Sequence, residues 1–262
     1  MTVSFDKYQG AGNDFVMIDN RNDEYSFSRE DVIKLCRPHF GIGSDGLIIL
    51  EKSQNTNFSM RFFNPDGSDG MMCGNGGRCV VAFAKKLGII EDTCTFEAPD
   101  GIHHAKMING DISLQMSNPH SITFHDDGIY MNTGTSHFVC FVEDLENIDV
   151  ELEGRKLRHD KRFDKYFGCN VNFVKKNNRN SILVRTYERG VERETLACGT
   201  GVCASCIAVA LQEKISDGKH SISVHTRGGD LKVEFCKQKE TITDVWLQGK
   251  GEYVFSGTIP LD

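Results

Sequence analysis

The chain has 262 residues, of which 39% are hydrophobic and 26% charged, and its formal net charge is −7. This composition is typical of a globular protein with one large or two modest domains. The acidic balance argues against nucleic acid or an anionic membrane as a partner, so we expect a small-molecule ligand. The N-terminus has no basic stretch followed by an apolar run, and no apolar segment reaches the roughly 20 residues of a membrane helix, so we expect a cytoplasmic protein.

The first half of the chain alternates short strands with two helices. Ser28 and Asp31 form a capping-box pattern that predicts a helix over residues 29–37. A second, apolar helix is predicted over residues 78–87, after a glycine-rich segment that begins at Cys73. The predicted strands are residues 15–19, 47–50 and 59–63, with several more between 93 and 116.

The second half follows the same order. Helices are predicted near residues 150–159 and over 202–213, and the glycine-rich segment before the second one begins at Cys198. The predicted strands are residues 138–142, 172–175, 181–187, 221–224, 231–235, 241–247 and 253–255.

Landmarks of the two halves recur at a nearly constant distance. Cys198 lies 125 residues after Cys73, and Gly168 lies 125 residues after Gly43. A repeat of this length indicates an internal duplication rather than a solenoid. We therefore predict an α+β fold of two pseudo-symmetric halves, each a curved, mostly antiparallel sheet around a central helix, with the active site in the cleft between them. The predicted halves are residues 1–117, joined by 251–262, and residues 118–250.

Two of the ten cysteines stand where a thiol could be reactive. Most of the others lie in apolar stretches, as Cys140 and Cys206 do, and reduced cysteine packs as a small hydrophobe. Cys73 and Cys198 each precede a predicted helix, where unpaired N–H groups and the helix dipole stabilise a thiolate by about 0.3–2 kcal/mol. In mirrored settings, one thiolate could remove a proton from one face of a carbon while the other thiol protonates the opposite face. The pair therefore predicts inversion at carbon by two-base catalysis.

At this point the sequence resembles the diaminopimelate epimerase family over nearly its whole length. Five segments carry the resemblance: Gly12-Asn13-Asp14-Phe15, Gly41 to Gly46, Phe63 to Cys79, Tyr187-Glu188-Arg189-Gly190, and Ala197-Cys198-Gly199-Thr200-Gly201. The resemblance implies conversion of LL-diaminopimelate to the meso form in lysine and peptidoglycan-precursor synthesis, without pyridoxal phosphate, other cofactor or metal. It also implies a homodimer.

The same resemblance assigns the site residues. It makes Cys73 and Cys198 the acid–base pair, and it makes His137 and Glu188 auxiliary groups near the reacting centre. The residues expected to bind the amino-acid substrate are Asn13, Asn64, Gly74, Asn75, Asn170, Glu188, Arg189, Gly199 and Thr200. A bidentate guanidinium such as Arg189 suits the remote carboxylate of such a substrate.

Two positions depart from the family pattern. Many members carry Asn-Pro where this chain has Thr135-Ser136, and some have Gln where this chain has Gly46. Both departures lie near the expected substrate, and neither affects the cysteines.

Three other classes of protein remain open from the residues. Proline and hydroxyproline racemases also use two cysteines, but they usually have His where this chain has Asn75. A thiol-redox or metal-binding protein would use Cys203-x-x-Cys206, which lies inside an apolar helix and has no second cysteine pair at zinc-finger spacing. A binding protein without catalysis would not need both cysteines. Nucleotide cofactors are not expected, because no complete G-x-G-x-x-G or P-loop motif is present.

Overall fold

The computed structural model describes residues 2–261 and contains 17 strands and four α-helices in that range. The helices are α1 (Arg29–Cys36), α2 (Gly74–Lys86), α3 (Val150–Arg158) and α4 (Gly199–Gln212), and a 3-10 helix covers Lys161–Tyr166. The strands are β1 (Thr2–Gly10), β2 (Asn13–Asp19), β3 (Leu47–Glu51), β4 (Phe58–Phe63), β5 (Thr93–Ala98), β6 (Gly101–Ile108), β7 (Asp111–Gln115), β8 (His120–His125), β9 (Gly128–Asn132), β10 (Ser136–Phe141), β11 (Asn170–Asn178), β12 (Ser181–Glu188), β13 (Arg193–Thr195), β14 (Gly218–Thr226), β15 (Gly229–Gln238), β16 (Thr241–Gly249) and β17 (Glu252–Pro260).

The chain divides into two compact units. Unit 1 contains the residues up to Leu114 together with those from Gly249 onward, and unit 2 is Gln115–Gln248. The sequence predicted divisions after residues 117 and 250, which are three and two residues later than those in the structure. β17 pairs antiparallel with β1, so the end of the chain belongs to the sheet of unit 1.

Unit 1 is a mixed sheet that packs on α2. β17, β1 and β2 are antiparallel neighbours, β3 joins β2 in parallel, and β4 runs antiparallel to β3. β5 then pairs in parallel with β4, and the antiparallel strands β6 and β7 follow. The parallel steps are the places where α1 and α2 cross between strands, as a parallel connection requires. α2 packs against β1, β2, β3 and β17, and ten of its 13 residues are buried.

Unit 2 repeats this order of pairing. β8, β9 and β10 are antiparallel, β11 joins β10 in parallel after α3, and β12 runs antiparallel to β11. β14 pairs in parallel with β12 after α4, and β15 and β16 complete the antiparallel run. The predicted α+β fold with two similar halves is therefore confirmed.

α4 is the central helix of unit 2. It packs against β9, β10, β11, β12, β14 and β15, and its sequence is apolar around most of its circumference. A helix of this kind is stable only when it is buried on nearly all sides, because no face suits water. Its alanine, glycine and cysteine side chains are small, which lets strands approach it from several directions. The central helix thus places its N-terminus, where Cys198 lies, at a fixed position in the unit.

Each predicted helix and strand is present in the structure. The capping box at Ser28 is present, with the side chains and backbones of Ser28 and Asp31 bonded reciprocally. α2 and α4 begin four and three residues earlier than the predicted helices, because Gly74 and Gly199 already have helical geometry. β1, β8, β9 and β13 were not predicted. β1 mixes charged and polar residues with its buried ones, so its sequence lacks a continuous apolar run.

Candidate active site

Cys73 and Cys198 occupy the same structural position in their units. Each is the N-cap residue of its central helix, with extended backbone angles of φ −115°, ψ 153° for Cys73 and φ −116°, ψ 112° for Cys198. An N-cap residue lies beside N–H groups that have no partner within the helix and at the positive end of the helix dipole. Both thiols are therefore placed where the thiolate form is favoured.

The hydrogen bonds to the two sulfurs differ. The backbone N–H of Gly76 donates to the Sγ atom of Cys73 across 3.2 Å. Cys198 has no such helix-capping bond; its Sγ atom instead lies 3.5 Å from the hydroxyl of Thr200. The two units therefore offer their thiols different donors.

Around Cys73, asparagine side chains link α2 to the start of β2. The Nδ2 of Asn75 lies 3.4 Å from the Oδ1 of Asn13, and the amide of Asn13 donates to Asp45 across 2.7 Å. Asn64 follows β4 and hydrogen-bonds Ser68 within the turn that leads towards Cys73. Of the unit 1 residues predicted for the site, Asn13 and Asn75 are thus in contact, and Asn64 lies in the turn before Cys73.

Around Cys198, the predicted residues form one connected set. His137 on β10 lies 2.9 Å from the Thr200 hydroxyl. Asn170, at the start of β11, accepts the backbone N–H of Arg189 at 2.8 Å and donates to the Ser136 carbonyl at 3.0 Å. The structure therefore unites most of the predicted site residues of unit 2.

Arg189 and Glu188 lie at the end of β12. The Nη1 atom of Arg189 donates to the carbonyls of Tyr166 and Gly168 at 2.9 and 3.2 Å, and no carboxylate within residues 2–261 forms a salt bridge with it. Glu188 is half-buried and ends the strand. The backbone contacts orient the guanidinium of Arg189 without neutralising it, which suits recognition of an anion.

His137 is fully buried, and burial lowers the pKa of its imidazole to about 3, with a further contribution from the positive charge of Arg189. The ring is therefore neutral at neutral pH. It can act as a hydrogen-bond donor and acceptor, and it cannot serve as a cationic acid there.

The two departures from the family pattern have structural consequences. The Thr135 hydroxyl lies 2.9 Å from the Nε2 of His137 and accepts from Asn170 at 3.1 Å, so Thr135 belongs to the hydrogen-bonded set. A Cβ at Gly46 would lie 2.3 Å from the ring of Phe62, so any side chain there requires that ring to move.

Most of the remaining cysteines are buried. Free thiols are found at Cys36, Cys79, Cys94, Cys140, Cys169, Cys206 and Cys236. Burial raises the pKa of Cys94 to about 11 and that of Cys140 to about 12, which keeps them as thiols. Cys203 and Cys206 are wholly buried inside α4. Within residues 2–261, no three or more His, Cys, Asp or Glu side chains are grouped as a metal site, and no helix in that range is long and apolar enough to cross a membrane.

Comparison with known proteins decides the family. A family model described as diaminopimelate epimerase matches residues 5–124 and 129–254. The chain is 47% identical over 255 residues to a diaminopimelate epimerase of Flavobacterium psychrophilum, which covers 97% of this chain and 98% of that protein. It is 41% identical over 278 residues to the diaminopimelate epimerase of Aquifex aeolicus, with 98% of each chain covered. The chain belongs to the diaminopimelate epimerase family.

Solved structures of lower identity share the fold. A phenazine biosynthesis protein of the PhzF family from Bacillus anthracis superposes with a TM-score of 0.79 at 16% identity, over 100% of both chains. A hydroxyproline epimerase from Agrobacterium vitis, with trans-4-hydroxy-L-proline bound, gives a TM-score of 0.70 at 13% identity, over 100% of this chain and 93% of that one. At these identities the likeness shows that the fold extends beyond the diaminopimelate epimerase family.

Sequence reasoning missed two buried residues of this family member. Arg78 is fully buried and donates to the Gly74 carbonyl at 3.1 Å and to the Asn75 side chain at 2.9 Å, so it braces the first turn of α2. Asn172 is fully buried beside His137, with 3.1 Å between its Nδ2 and the Nδ1 of the ring. The signal for Asn172 was available: Asn170 and Asn172 are two apart on a strand, so their side chains share a face.

Proposed function

We propose that this member of the diaminopimelate epimerase family interconverts LL-2,6-diaminopimelate and meso-2,6-diaminopimelate, without a cofactor, in lysine and peptidoglycan-precursor biosynthesis. The observation that carries the proposal is the identity of 47% to a curated epimerase over nearly the full length of both chains. The placement of Cys73 and Cys198 at the N-termini of equivalent helices supports the same chemistry.

The proposed reaction moves protons at one α-carbon. One cysteine, as thiolate, removes the α-proton, and the bonding electrons of that C–H bond remain on carbon as a planar carbanion. The other cysteine, as thiol, gives its proton to the opposite face, which inverts the configuration. The two sulfurs end with exchanged protonation states, and a turnover in the reverse direction restores them. Either thiol must therefore be able to exist as thiolate, which the two N-cap positions favour.

The carboxylate on the reacting carbon would bind at the helix N-termini. When the α-proton leaves, negative charge spreads onto this carboxylate, and donors already aimed at it stabilise the transition state more than the ground state. We assign this role to the backbone N–H groups of Gly74, Asn75, Gly199 and Thr200, which belong to the first turns of α2 and α4.

The remote end of the substrate carries an ammonium and a carboxylate. We assign the remote carboxylate to Arg189, whose charge is not neutralised by any carboxylate within residues 2–261. We expect Asn13 and Asn64 to donate to carboxylate oxygens and accept from ammonium, and Asn170 to accept from ammonium through its carbonyl oxygen. Glu188 would bind the substrate and assist near the reacting centre. Arg189→Gln should raise KM far more than it lowers kcat, because the lost contact binds substrate and transition state alike. Arg189→Lys should recover only part of the loss, since Lys has no bidentate fork.

The primary experiment is a stereochemical assay in deuterated water, using reduced protein, LL-diaminopimelate and no added cofactor. The expected product is the meso isomer with one solvent deuteron at the inverted carbon. Proline and trans-4-hydroxyproline are assayed in parallel. Turnover of either of these, with none of diaminopimelate, would overturn the substrate assignment and move the chain to a racemase activity; binding without turnover of any substrate would overturn the enzymatic proposal.

Serine variants test the two-base mechanism. Cys73→Ser and Cys198→Ser should each abolish epimerisation, while each remaining cysteine still exchanges the α-proton of one substrate isomer with solvent. Cys236→Ser, which changes a partly exposed thiol on β15, is the matched control and should retain full activity. Full activity in either active-site variant would exclude the mechanism.

We also propose that the protein is a cytoplasmic homodimer. Seven of the nine residues of β17 are exposed, among them the consecutive apolar side chains Tyr253, Val254 and Phe255. Association through this strand would bury apolar surface that a monomer leaves in water. Sedimentation should show a dimer that Phe255→Asp dissociates; a wild-type monomer at micromolar concentration would contradict the proposal. Recovery of the protein in the membrane or secreted fraction would contradict the location.

A further inference from the structure

A chain of buried polar side chains runs from β12 through β11 and β10 to the first turn of α4. Its members are Thr186, Asn172, His137 and Thr200, and the first three are 3%, 0% and 0% exposed. Successive members are hydrogen-bonded, with 3.0 Å between Thr186 and Asn172, 3.1 Å between Asn172 and His137, and 2.9 Å between His137 and Thr200. A buried polar group is costly unless it is bonded, so the direction of each bond in this chain is constrained.

The direction is set at Asn172. Its Nδ2 end faces the backbone carbonyl of Phe138 at 3.5 Å, and its Oδ1 accepts from the Thr186 hydroxyl. The reversed amide would bring its oxygen against the Phe138 carbonyl oxygen, which is repulsive. The amide of Asn172 therefore donates to Nδ1 of His137, and a neutral imidazole that accepts at Nδ1 carries its proton on Nε2.

The Nε2–H group then faces two hydroxyls. The Thr200 and Thr135 oxygens each lie 2.9 Å from Nε2, and they lie 3.3 Å from each other. Thr135 also accepts from the amide of Asn170, and its own proton can point to Thr200, 3.3 Å away. The Thr200 oxygen can therefore accept from the Nε2–H group and from Thr135, and its own proton can point to the sulfur of Cys198, 3.5 Å away.

The glycine at position 201 makes room for this chain. A Cβ built there would lie 2.3 Å from the Oδ1 of Asn172 and 3.2 Å from the ring of His137. The requirement is spatial, since the position is helical. The start of α4 is therefore shaped to the two residues that set the direction of the hydrogen bonds.

We propose that Asn172 and Thr186 are positioning residues, which hold His137 as the Nε2–H tautomer so that the Thr200 hydroxyl donates its proton to the thiolate of Cys198. This series of hydrogen bonds gives the sulfur of Cys198 a donor, as the backbone N–H of Gly76 does for the sulfur of Cys73. A donor aimed at sulfur stabilises the thiolate over the thiol. The catalytic meaning of this arrangement rests on the proposed function, since it requires Cys198 to act as a base.

The surroundings of the ring agree with a neutral imidazole. Burial and the nearby charge of Arg189 lower the pKa of His137 far below its usual range. Besides Arg189, the titratable side chains on or beside the elements around the ring include Cys198 and Cys203 near the start of α4, Cys140 on β10, Cys169 before β11, and Tyr187 and Glu188 on β12. Residues 170 and 172 of β11 contribute neutral amides.

The first test observes the tautomer in the unaltered protein. Long-range proton–nitrogen correlation spectra of histidine-labelled protein separate a protonated ring nitrogen from one that only accepts, and His137→Gln identifies the signal of His137. We expect a proton on Nε2 and none on Nδ1 at neutral pH. A proton on Nδ1, or on both nitrogens, would overturn the proposal.

The second test measures the thiol without any substrate. The alkylation of Cys198 by iodoacetamide is followed by peptide mass spectrometry across a pH series, with the Cys73 peptide as internal reference. Thr200→Val should slow alkylation of Cys198 about tenfold at neutral pH, because it removes one hydrogen bond to a charged group, and should move the pH profile to higher pH. Thr200→Ser should restore both, and Asn172→Leu should act in the direction of Thr200→Val. Cys73 should be unaffected in every variant.

Equal alkylation profiles for Thr200→Val and wild type would refute the proposed donor. A slowing shared equally by Cys73 would show a general structural effect and would also refute it. Because neither readout involves diaminopimelate, a wild-type protein that fails to epimerise it could still show the Nε2–H tautomer and the Thr200 effect. Failure of the proposed function and failure of the hydrogen-bond chain are thus separate results.

Discussion

The Sγ atom of Cys73 accepts the backbone N–H of Gly76 across 3.2 Å, an N-cap hydrogen bond made by a sulfur. Serine and aspartate oxygens usually occupy this position, because they satisfy an N–H group that has no partner within the helix. This hydrogen bond ties the sulfur to the backbone of the first turn of α2. The position of the Cys73 thiol should therefore be sensitive to crowding in the first turn of α2.

Gly76→Ala should lower epimerase activity at least about tenfold, equivalent to about 1.4 kcal/mol in the activation barrier. The added methyl group would lie 3.3 Å from the Cys73 sulfur and 3.1 Å from Ile48, tighter than ordinary van der Waals contact. The decrease should be accompanied by altered alkylation of Cys73 and unchanged alkylation of Cys198. Lys85→Ala, on an exposed position of the same helix, serves as the control. Undiminished activity in Gly76→Ala would show that the sulfur is not so constrained.

Gly201→Ala should disturb the other cysteine. Its methyl group cannot coexist with the present positions of Asn172 and His137, since the built Cβ lies 2.3 Å from the Asn172 oxygen. Overpacking of this kind costs about 1–3 kcal/mol in the free energy of unfolding. We expect that loss in urea unfolding, together with slower alkylation of Cys198. Gln212→Ala, at the other end of α4, should change neither quantity. A fully stable Gly201→Ala with normal Cys198 reactivity would contradict the packing argument.

The sequence was sufficient for the central helices and their cysteines because the signals there are local. A cysteine followed by glycines and an apolar run defines the start of a buried helix, and the duplication makes the same pattern visible twice. β1 could not be predicted in this way. Its alternation is broken by buried Lys7, which is accommodated by a hydrogen bond to the carbonyl of Gly43 and an ion pair with Asp14. These partners are known only once the fold is known.

The environment of His137 is a part of the site that could not be predicted from the sequence either. The sequence marks a histidine at a strand start, but its protonation depends on burial and on how β10, β11 and β12 pack around the ring. Asn172 and Thr186 are directly opposite each other in the antiparallel pair of β11 and β12, and His137 is one strand further on β10. The hydrogen bonds among these side chains depend on the register of the strands, which a single sequence does not specify.

Arg78 should be among the most stabilising residues of unit 1. It is fully buried, and its guanidinium donates to the carbonyls of Gly74 and Lys250 and to the side chain of Asn75. Arg78→Leu would remove all three hydrogen bonds, and a hydrogen bond that involves a charged group contributes about 1.5–3 kcal/mol. We expect the free energy of unfolding to fall by at least about 2 kcal/mol.

Urea titration of Arg78→Leu beside Arg61→Leu measures this effect, because Arg61 is an exposed arginine of the same unit. The change in Arg61→Leu should be within about 0.5 kcal/mol. A similar small change in Arg78→Leu would show that the buried guanidinium contributes little net stability. Arg78→Lys should recover only part of the loss, since one ammonium cannot reach acceptors in the directions of the planar fork.

His137 should make the stability of the protein depend on pH. Burial lowers the pKa of its imidazole from 6.5 to about 3 in the folded protein. Below pH 6.5 the unfolded chain binds a proton at this residue that the folded chain does not bind. The free energy of unfolding should therefore be unaffected by His137 above pH 6.5 and should fall as the pH decreases towards 3, with a slope that approaches about 1.4 kcal/mol per pH unit. Carboxylates that are paired in the folded protein become protonated at the acid end of this range, which also lowers the free energy of unfolding. A comparison with a variant is therefore needed to isolate the contribution of His137.

Chemical denaturation of wild type and His137→Gln between pH 4 and 8 provides that comparison. The variant should lose stability less steeply below pH 6.5, because glutamine has no proton to bind, and the two slopes should coincide above that pH. His104→Gln, which changes an exposed histidine of unit 1, should follow the wild-type curve. If wild type and His137→Gln have parallel curves throughout, the buried ring takes up protons as readily as an exposed one, and its assignment as a neutral donor to Thr200 would have to be abandoned.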